Sequence, residues 1–410
     1  MKFKDTKIGI VPSHWEVRPI KEITEIVTDY VANGSFASLA ENVTYKDEED
    51  VAVLIRLVDY NNDFQGKFVF IDEHAYQFLG KSKLFGGEII ISNVGANVGT
   101  VFRCPQLAYK MSLAPNSVMV KFKGNDDFYF HWLRGFNGQQ MLKSIVTGSA
   151  QPKFNKTNFK EMLAPVPPIG EQNKIASILN TIDEKIEINK KINNNLEQQA
   201  QAVYYKMFSE VNTVPVELSS IIDVRDGTHD SPKAQATGYY LITSKHLLPF
   251  GVDKASANHI SKADFDKINE RSLVETQDIL MSMIGTIGLI SYIPYETVDF
   301  AIKNVALFKT SHTPELAYYF LCYLKSEKTL QHIGKCLAGS TQKYISLGEL
   351  RKMPIYSPTA NEIREFNCLV KPMFEKIVSR TYENALLAEM RDSLLPKLMS
   401  GELDVSNIEL

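Results

Sequence analysis

Apolar residues recur every three to four positions over two long stretches of the chain. The first stretch runs from residue 173 to about 208 without Gly or Pro, and the second from 364 to about 395, interrupted only by Pro372. This period, sustained over four to five heptads, is typical of a coiled coil rather than of an ordinary surface helix. At ~1.5 Å per residue, each helix is expected to be roughly 50 Å long. The seam positions are Ile175, Leu179, Ile182, Ile186, Asn189, Asn193, Leu196, Ala200, Val203 and Met207, then Phe366, Val370, Met373, Ile377, Arg380, Asn384, Leu387, Arg391, Leu394 and Leu398.

Short β-branched runs, separated by Gly, Asn, Asp and Pro, fill the rest of the chain. They predict short strands and tight turns in compact, mostly β domains with a few helices, at about residues 1–165 and 213–356. Helices are expected within these domains at 128–145 and 314–333. The strand-like runs include VAVLIRLVDYNND (51–63), KFVFID (67–72), GEIIIS (87–92), DILMSMIG (278–285) and VALFKT (305–310).

The chain repeats itself at a distance of 191 residues. GSAQPKFNKTNFKEM (148–162) matches GSTQKYISLGELRKM (339–353), and at the same offset Pro167 matches Pro358 and Glu171 matches Glu362. With a small insertion, GGEIIISNVGANVGTVF (86–102) also resembles TQDILMSMIGTIGLISY (276–292). Matches in the same order, at nearly one offset, indicate a tandem duplication.

The predicted fold class is therefore α+β, a tandem pseudo-twofold repeat of two mostly β domains separated by two long helices. The helices are expected to pack as an antiparallel coiled coil. We expect the domains at residues 1–165 and 213–356, and the helical regions at 166–212 and 357–410.

Two asparagines, Asn193 and Asn384, fall at the same seam position near the middle of each predicted helix. If the helices pair antiparallel, the two amides could meet and fix the register of the coiled coil. A buried polar pair of this kind costs stability. In the alternative interpretation, both amides point to solvent at a loose place in the seam.

Composition indicates a globular protein without membrane spans. The 410 residues are 44% hydrophobic and 23% charged, and no apolar run approaches the ~18 residues that a span needs. The first 15 residues, MKFKDTKIGIVPSHW, lack the apolar segment of a signal peptide. The four cysteines are scattered, as is usual for free thiols in a reducing compartment. A cytoplasmic protein is expected.

Net charge gives little support for nucleic-acid binding. The chain carries a formal charge of −3, and residues 1–165 contain 19 Lys and Arg against 18 Asp and Glu. Any affinity for DNA would have to come from locally placed cations or from a partner, because the global field does not supply it.

Motifs of catalysis and metal binding are absent from the sequence. It has no G-x-x-x-x-G-K-[ST], H-E-x-x-H, G-x-S-x-G or C-x-x-C pattern. PVPP at 165–168 lacks the preceding Asn or Asp and the following aromatic residue of the catalytic tetrapeptide in amino-methyltransferases, and DEED at 47–50 is interpreted as a solvated acidic loop. We therefore predict no catalytic residue, no metal site and no cofactor.

Several segments, distributed over essentially the whole chain, resemble the specificity subunit of Type I restriction–modification systems. They are IVPSHWEVRPIKEI (10–23), DYVANGSFASL (29–39), VPPIGEQNKIASILNTID (166–183), DGTHDSP (226–232) and LLPKLMSGEL (394–403).

This resemblance implies two target recognition domains, each of which reads one half of a split asymmetric DNA site. It also implies that the helical regions set the spacer and dock two methyltransferase subunits, which carry the methyl donor and the adenine methylation. Two restriction and translocation subunits are optional further partners in the family. The subunit itself is non-catalytic there.

The sequence departs from the family pattern in two places. The second helical region reads PTANEIREF where the first reads PIGEQNKI, so the Glu-Gln pair is replaced by Glu362 and Ile363. The first β domain has DYVANGSFA where the second has GTHDSP. The two domains are therefore expected to recognise different sequences.

Polar residues in Gly- or Pro-marked turns beside apolar strands are the candidates for DNA contact. Arg, Lys, Asn, Gln, Ser and Thr read base edges, and Lys, Arg and backbone N–H groups bind phosphates. Each candidate has an alternative role in capping a turn or helix. In the first domain they are Asn33, Ser35, Arg56, Asn93, Asn97, Lys110, Asn116, Ser149, Gln151, Lys153 and Asn155. In the second they are Thr228, His229, Ser244, Lys245, Ser282, Thr286, Lys303, Asn304, Ser340, Gln342 and Lys343.

A scaffold that binds proteins through its coiled coil, with DNA incidental, is the alternative function. The near-neutral charge favours it. Sequence-selective binding to duplex DNA that weakens with salt would favour the first interpretation.

Overall fold

The chain forms two compact units in the computed structural model, which describes residues 2–208, 214–339, 343–406 and 408. The first unit comprises Met1–Lys185 and Leu386–Leu410, and the second comprises Ile186–Ala385. Two 40-residue helices, Ile169–Phe208 and Ala360–Met399, contribute residues to both units.

The β domain of the first unit has twelve strands and seven helices among its described residues, followed by the first long helix. The strands are β1 (Phe3–Thr6), β2 (Gly9–Pro12), β3 (Glu16–Pro19), β4 (Thr24–Asp29), β5 (Ala52–Ile55), β6 (Val69–Ile71), β7 (Lys83–Leu84), β8 (Ile89–Ser92), β9 (Val101–Arg103), β10 (Lys110–Leu113), β11 (Ser117–Phe122) and β12 (Leu163–Val166). The helices are α1 (Ile20–Ile23), α2 (Phe36–Asn42), α3 (Leu57–Asn61), α4 (Glu73–Phe78), α5 (Asp126–Arg134), α6 (Phe136–Ser144), α7 (Lys156–Glu161) and the long α8 (Ile169–Phe208).

The β domain of the second unit has fewer α-helices and fewer, shorter strands. Its strands are β13 (Val216–Glu217), β14 (Val224–Asp226), β15 (Tyr239–Ile242), β16 (Leu247–Leu248), β17 (Gly251–Val252), β18 (Asn258–Ile260), β19 (Ile279–Ser282), β20 (Ile290–Tyr292), β21 (Phe300–Ile302), β22 (Val305–Phe308) and β23 (Pro354–Ile355). Its helices are α9 (Lys262–Ser272), α10 (Ala317–Leu324), α11 (Glu327–Lys335), α12 (Leu347–Arg351) and the long α13 (Ala360–Met399).

Sheet topology confirms the duplication. The first unit has a four-stranded sheet in the order β4-β11-β8-β9, and the second has β14-β22-β19-β20. A further sheet, β6-β5-β10-β7, corresponds to β18-β15-β21, and each contains one parallel pair, β5 with β10 and β15 with β21. Strands β3 and β12 pair in the first unit as β13 and β23 do in the second. The fold is therefore a tandem α+β repeat, as the sequence predicts.

Each unit buries part of both long helices against its own β domain. In the first unit, Ile175 and Leu179 of α8 and Leu398 of α13 join a core that contains Trp15 and Phe128. In the second, the core contains Tyr204 and Phe208 of α8, packed against Phe366 of α13 and Tyr319 of α10. The two helices therefore pack against each other in an antiparallel sense within each unit.

The starts of the long helices explain the departure from the family pattern at the Glu-Gln pair. Glu171 accepts hydrogen bonds from Trp15 (2.8 Å), and Gln172 accepts one from the backbone N–H of Asn125 (3.0 Å). At the second start, Glu362 accepts from the Tyr356 hydroxyl (2.9 Å) and from the backbone N–H of Thr359 (2.7 Å), as in a capping box. The acid accepts hydrogen bonds at the start of both helices but from different partners, because Pro168, at the position of Thr359, has no N–H to donate to Glu171.

Both long helices begin four residues before the predicted starts at Asn173 and Arg364. The second continues through Pro372 and Pro396 to Met399, because packing against the cores outweighs the loss of single backbone hydrogen bonds.

Three predicted elements of the β domains differ from the structure. The helix predicted at 128–145 is two helices that meet at Gly135. The helix predicted at 314–333 is likewise divided, where the Ser326 side chain caps α11 by accepting from the Thr329 N–H. The strand-like run at 51–63 forms β5 and then α3, because the Asp59 carboxylate accepts from the Arg56 N–H and begins a helix.

The two amides, which the sequence allowed either to meet in the seam or to point to solvent, do not meet. The Asn189 amide NH₂ donates a hydrogen bond to Asn384 Oδ1 (2.9 Å), whereas the Asn193 amide NH₂ donates to the backbone carbonyl of Ile377 (3.4 Å). Asn384 in turn donates to the carbonyl of Ile186 (3.4 Å), which repeats the Asn193 contact at the offset of 191 residues. The helices are staggered by about one turn, so Asn384 faces the residue one turn before Asn193.

No helix in the described part of the chain combines the length and the apolar character needed to cross a bilayer.

Candidate nucleic-acid interface

Three loops of the first unit are hydrogen-bonded to one another where strands β8, β10 and β11 meet. We call residues 93–99, 114–116 and 147–155 the first loop cluster. Asn93 connects all three loops. Its N–H donates to the carbonyl of Asn116 (3.0 Å), and its carbonyl and amide group bond the backbone of Phe154 (3.1 and 3.2 Å). Gly95 adds a bond to the carbonyl of Pro152 (2.8 Å), so these loops form one connected surface.

The second unit joins the corresponding loops in the same way. We call residues 227–232, 283–288, 303–304, 338–339 and 343–346 the second loop cluster. The Ile345 N–H donates to the carbonyl of Met283 (3.0 Å), as Phe154 does to Asn93. The Asn304 N–H donates to the carbonyl of Thr228 (3.1 Å).

Asn116 and Asn304 occupy the same turn in the two units, directly before β11 and β22. Both have the left-handed backbone conformation, with φ of +66° and +54°. Asparagine tolerates this conformation better than most residues, which explains its presence at both turns. The sequence identified both residues because Asn beside a strand end signals a turn.

Most of the candidate DNA-contact residues lie in or next to the loop clusters. In the first unit these are Asn93, Asn97, Asn116, Ser149, Gln151, Lys153 and Asn155. In the second unit they are Thr228, His229, Thr286, Lys303, Asn304 and Lys343, with Ser244 and Lys245 following β15 at the same end of its sheet.

Several candidates use their side chains within the protein. The Asn33 amide bonds Ser82 (2.8 Å) and accepts from the Lys81 N–H (2.8 Å), while Ser35 caps α2. Ser282 is buried; it donates to the carbonyl of Thr286 and accepts from the Leu289 N–H (2.8 Å).

Two cationic candidates are held by carboxylates. Arg56 pairs with Asp59 (2.6 Å), and this hydrogen bond raises the pKa of Arg56. Lys110 pairs with Glu73 (2.8 Å) and lowers the pKa of that carboxyl; it begins β10, whereas the cluster lies beyond the other end of that strand. The remaining candidates, Ser340 and Gln342, lie outside the described residues.

Each unit has a cleft beside its loop cluster, and the two clefts differ in chemistry. The first, about 610 Å³, is largely apolar and is lined by Tyr30, Phe36 and Tyr45, with Asn116 at its border. Phe36 is 82% exposed. These aromatic residues are not among the candidates predicted from the sequence, although Phe36 lies within the DYVANGSFASL segment.

The second cleft, about 490 Å³, is polar and charged. His229, Lys267 and Arg271 line it together with Asp264. Arg271 is not among the residues predicted from the sequence, because its contact with Asp226 joins residues 45 positions apart and leaves no local signal.

The described residues contain no group of three or more His, Cys, Asp and Glu side chains arranged to hold a metal ion. The side chains at the loop clusters offer hydrogen bonding by amides and hydroxyls and charge pairing by Lys, Arg and His. These groups can bind a polyanion and discriminate base edges.

Comparison with known proteins agrees with this chemistry. The family model described as Type I restriction modification DNA specificity domain matches the chain twice, at residues 12–198 and 211–366. The MjaIX specificity subunit of a Type I restriction enzyme from Methanocaldococcus jannaschii is 25% identical, over 99% of this chain and 98% of that protein. The EcoKI specificity subunit from Escherichia coli is 21% identical, over 96% and 90%.

A solved structure has a similar fold. The S subunit of a Type I restriction–modification system from M. genitalium superposes with a TM-score of 0.52 at 15% sequence identity, covering 94% of this chain and 96% of that one. The matched family model, which covers most of the chain and repeats at the two halves of the fold, leads to one conclusion: the chain belongs to the Type I restriction–modification DNA specificity family.

Proposed function

We propose that this chain is the non-catalytic DNA-reading subunit of a Type I restriction–modification complex. Residues 1–165 read one half of a bipartite asymmetric site, and residues 213–356 read the other half. The observation that carries this proposal is the pair of loop clusters. They follow equivalent strands of two sheets with the same strand order, yet their side chains and adjoining clefts differ. Two equal frameworks with unlike contents suit a site whose halves differ in sequence.

The residues that we assign to DNA include the exposed members of the loop clusters and the half-buried Asn304. Asn97, Ser149, Gln151 and Lys153 in the first unit are exposed, as are Thr286 and Lys343 in the second. Asn and Gln match adenine edges, Ser and Thr match several bases, and Lys matches guanine or phosphate. Asn33 and Ser282 support loops instead, because their side chains already bond neighbouring residues.

The long helices, in regions 166–212 and 357–410, set the spacer between the half-sites and dock two methyltransferase subunits. Those subunits carry the methyl donor and methylate adenine in the cytoplasm; two restriction subunits are optional further partners. Leu386 and Met390, one turn apart on α13 in the first unit, support docking because they are 66% and 54% exposed. Neighbouring large apolar side chains on a helix surface are typical of protein interfaces.

A scaffold that binds only proteins is the second candidate, and the formal charge of −3 favours it. DNA reading is compatible with this net charge if partner subunits neutralise part of the phosphate charge. The two candidates therefore predict different results when DNA binding is measured with the methyltransferase subunits present.

The test is selection from a random duplex library by the full-length chain assembled with Type I methyltransferase subunits. We expect two short conserved blocks separated by a spacer of fixed length, and an affinity that falls linearly with the logarithm of salt concentration. Methylome sequencing of a host that carries the complex should return the same bipartite motif. Unselective binding by the full complex would favour the scaffold.

A further inference from the structure

The DGTHDSP segment at residues 226–232 stands where the first unit has DYVANGSFA, and its backbone holds a neighbouring turn in place. Its backbone is hydrogen-bonded to strands β21 and β22, which lie on either side of the turn at residues 303–304. The Gly227 N–H donates to the carbonyl of Val305 (2.9 Å), and the Thr228 N–H donates to the carbonyl of Ile302 (3.0 Å). A Cβ atom at Gly227 would lie 2.3 Å from the Ile302 carbonyl oxygen, so this approach requires glycine. The segment clamps the turn that carries Asn304.

A chain of side-chain contacts runs through the clamp to the amide of Asn304. The Arg271 guanidinium donates to Asp226 Oδ1 (2.5 Å) and also to the backbone carbonyls of Asp226 and Gly227 (both 3.2 Å). Asp226 Oδ2 lies 3.1 Å from His229 Nε2, and His229 Nδ1 lies 2.8 Å from Asn304 Oδ1. Arg271 and Asp226 thus hold the imidazole against Asn304.

Both ring nitrogens of His229 face side-chain groups, and a neutral imidazole carries only one N–H. If the ring is protonated, it donates to Asp226 and to Asn304 Oδ1 at once. If the ring is neutral, Nε2–H donates to Asp226, and the Asn304 amide must turn so that its Nδ2 donates to Nδ1. The proton on His229 therefore decides which end of the Asn304 amide bonds the ring and which end remains free.

The free end of the amide determines which base edge it matches. With His229 protonated, Asn304 presents its NH₂ group to DNA. This donor matches the hydrogen-bond acceptors of the major groove, which are guanine O6 and N7, thymine O4 and adenine N7. With His229 neutral, it presents its carbonyl oxygen, which matches the amino groups of adenine N6 or cytosine N4.

We propose that His229 sets the base preference of Asn304, so that protonation of this histidine changes the preferred base at one position of the second half-site. The inference rests on the proposed function, because it needs Asn304 to face DNA. Asp226 and Arg271 are positioning residues that act through His229. Histidine suits this role because it is the side chain that ordinarily changes charge between pH 5 and 8.

The charged groups around His229 come from three elements. Asp226 ends β14, Asp230 follows in the same segment, and Lys303 lies in the facing turn, where it bonds Ser231. From α9, Arg271, Lys267 and Asp264 line the adjoining cleft. His229 itself is 65% exposed, so bound DNA and solvent protons can reach it.

The experiment measures ratios of affinity rather than affinity. The full-length chain is assembled with Type I methyltransferase subunits. Duplexes that carry each of the four base pairs at every position of the selected site then compete for this complex, at pH 6.0 and at pH 8.5. We expect the base preference to change by about tenfold at one position of the second half-site, the range of a good amide–base contact. An imidazolium that only attracts phosphate would strengthen binding to all duplexes alike and leave these ratios unchanged.

Two variants and a control complete the test. His229→Gln should remove the pH dependence at that position, and Asn304→Asp should give the pH 8.5 preference at both pH values, because a carboxylate accepts at both ends. His312→Gln is the matched control, since His312 is similarly exposed (53%) and pairs with Glu275 instead. It should keep the dependence. Thermal unfolding of each variant checks that the fold is retained; if His229→Gln unfolds early, Asn304→Asp decides.

The outcomes separate this inference from the proposed function. Selective binding whose preferences are the same at both pH values, or a pH dependence that His229→Gln or Asn304→Asp retains, overturns the role of His229 and leaves the proposed function standing. Absence of any sequence selectivity in the wild-type complex overturns both.

Discussion

Side chains in the loop clusters differ in how much hydrogen-bonding capacity they have left for DNA. The side chains of Asn33 and Ser282 already make hydrogen bonds with neighbouring residues. Within the described part of the chain, Gln151 and Lys153 make no side-chain hydrogen bond or ion pair, and both are exposed on the first loop cluster. They are therefore the candidates in the first unit from which substitution should give the clearest signal.

We expect Gln151→Ala to cost about 1–3 kcal/mol of specific binding and to relax one base position in one half-site only. Lys153→Ala should instead weaken binding to all duplexes and lower the salt slope by about one. Competition binding at several salt concentrations measures both effects. Lys143→Ala, an exposed lysine on α6 outside the cluster, is the control. A Gln151→Ala variant with unchanged preference at every position would remove Gln151 from the interface.

Gly227 should be intolerant of substitution. An added Cβ would meet backbone atoms at 2.3 Å, so Gly227→Ala should destabilise the second unit by at least ~1–3 kcal/mol and lower its melting temperature. Gly334→Ala in α11 is the matched control, because nothing lies within 4 Å of its Cβ position, and it should raise helix stability slightly. Equal melting temperatures for the two variants would contradict the close approach.

Local signals allowed the sequence to identify some residues of the candidate site and not others. Asn116 and Asn304 were identifiable, since they are polar residues in turns beside apolar strands. The Arg271–Asp226 pair was not, because a contact between residues 45 positions apart has no local pattern. The same limit explains why Asn33 and Ser282 remained candidates until their partners were known.

At the scale of elements, the seam of the long helices is well predicted in extent and misjudged in stagger. The periodicity shows which residues lie on the seam, since it depends only on the turn of each helix. It does not show which residues face each other, because that depends on how far one helix is displaced along the other. Asn189, fully buried, consequently lies opposite Asn384, at the place that one of the two interpretations of the sequence gave to Asn193.

A double-mutant cycle tests the Asn189–Asn384 pair. Asn384→Leu alone should destabilise the chain by about 1–3 kcal/mol, because it leaves the Asn189 amide buried without this partner. Asn189→Leu together with Asn384→Leu should recover most of that loss, since two apolar residues fit a seam. Chemical denaturation of the four proteins gives the coupling energy. The same cycle on Asn193 and Asn384 is the control and should show weaker coupling, since these amides do not contact each other.

At the scale of the molecule, the duplication was predictable because an offset in sequence becomes a repeated strand order. The chemistry of the two clefts was not, since an apolar wall of Tyr30, Phe36 and Tyr45 arises only when separate segments fold together. The net charge of the whole chain does not decide whether the protein can bind DNA. A chain of charge −3 can still read DNA where exposed cations such as Lys153 are placed locally and partners supply the rest.

DNA reading and partner docking should be separable in the assembled complex, because the proposed docking residues lie on α13 and not in the loop clusters. Leu386→Glu combined with Met390→Glu should reduce co-purification of the methyltransferase subunits at least tenfold while changing the melting temperature little, since both side chains are exposed. Ile10→Glu is the matched control: Ile10 is 62% exposed on β2 of the β domain and not on a long helix, and its substitution should leave assembly intact. Methylation in a host should fall with assembly, and whatever methylation remains should keep the wild-type motif. A changed motif, or full assembly by the double variant, would show that these two residues do not form the docking surface.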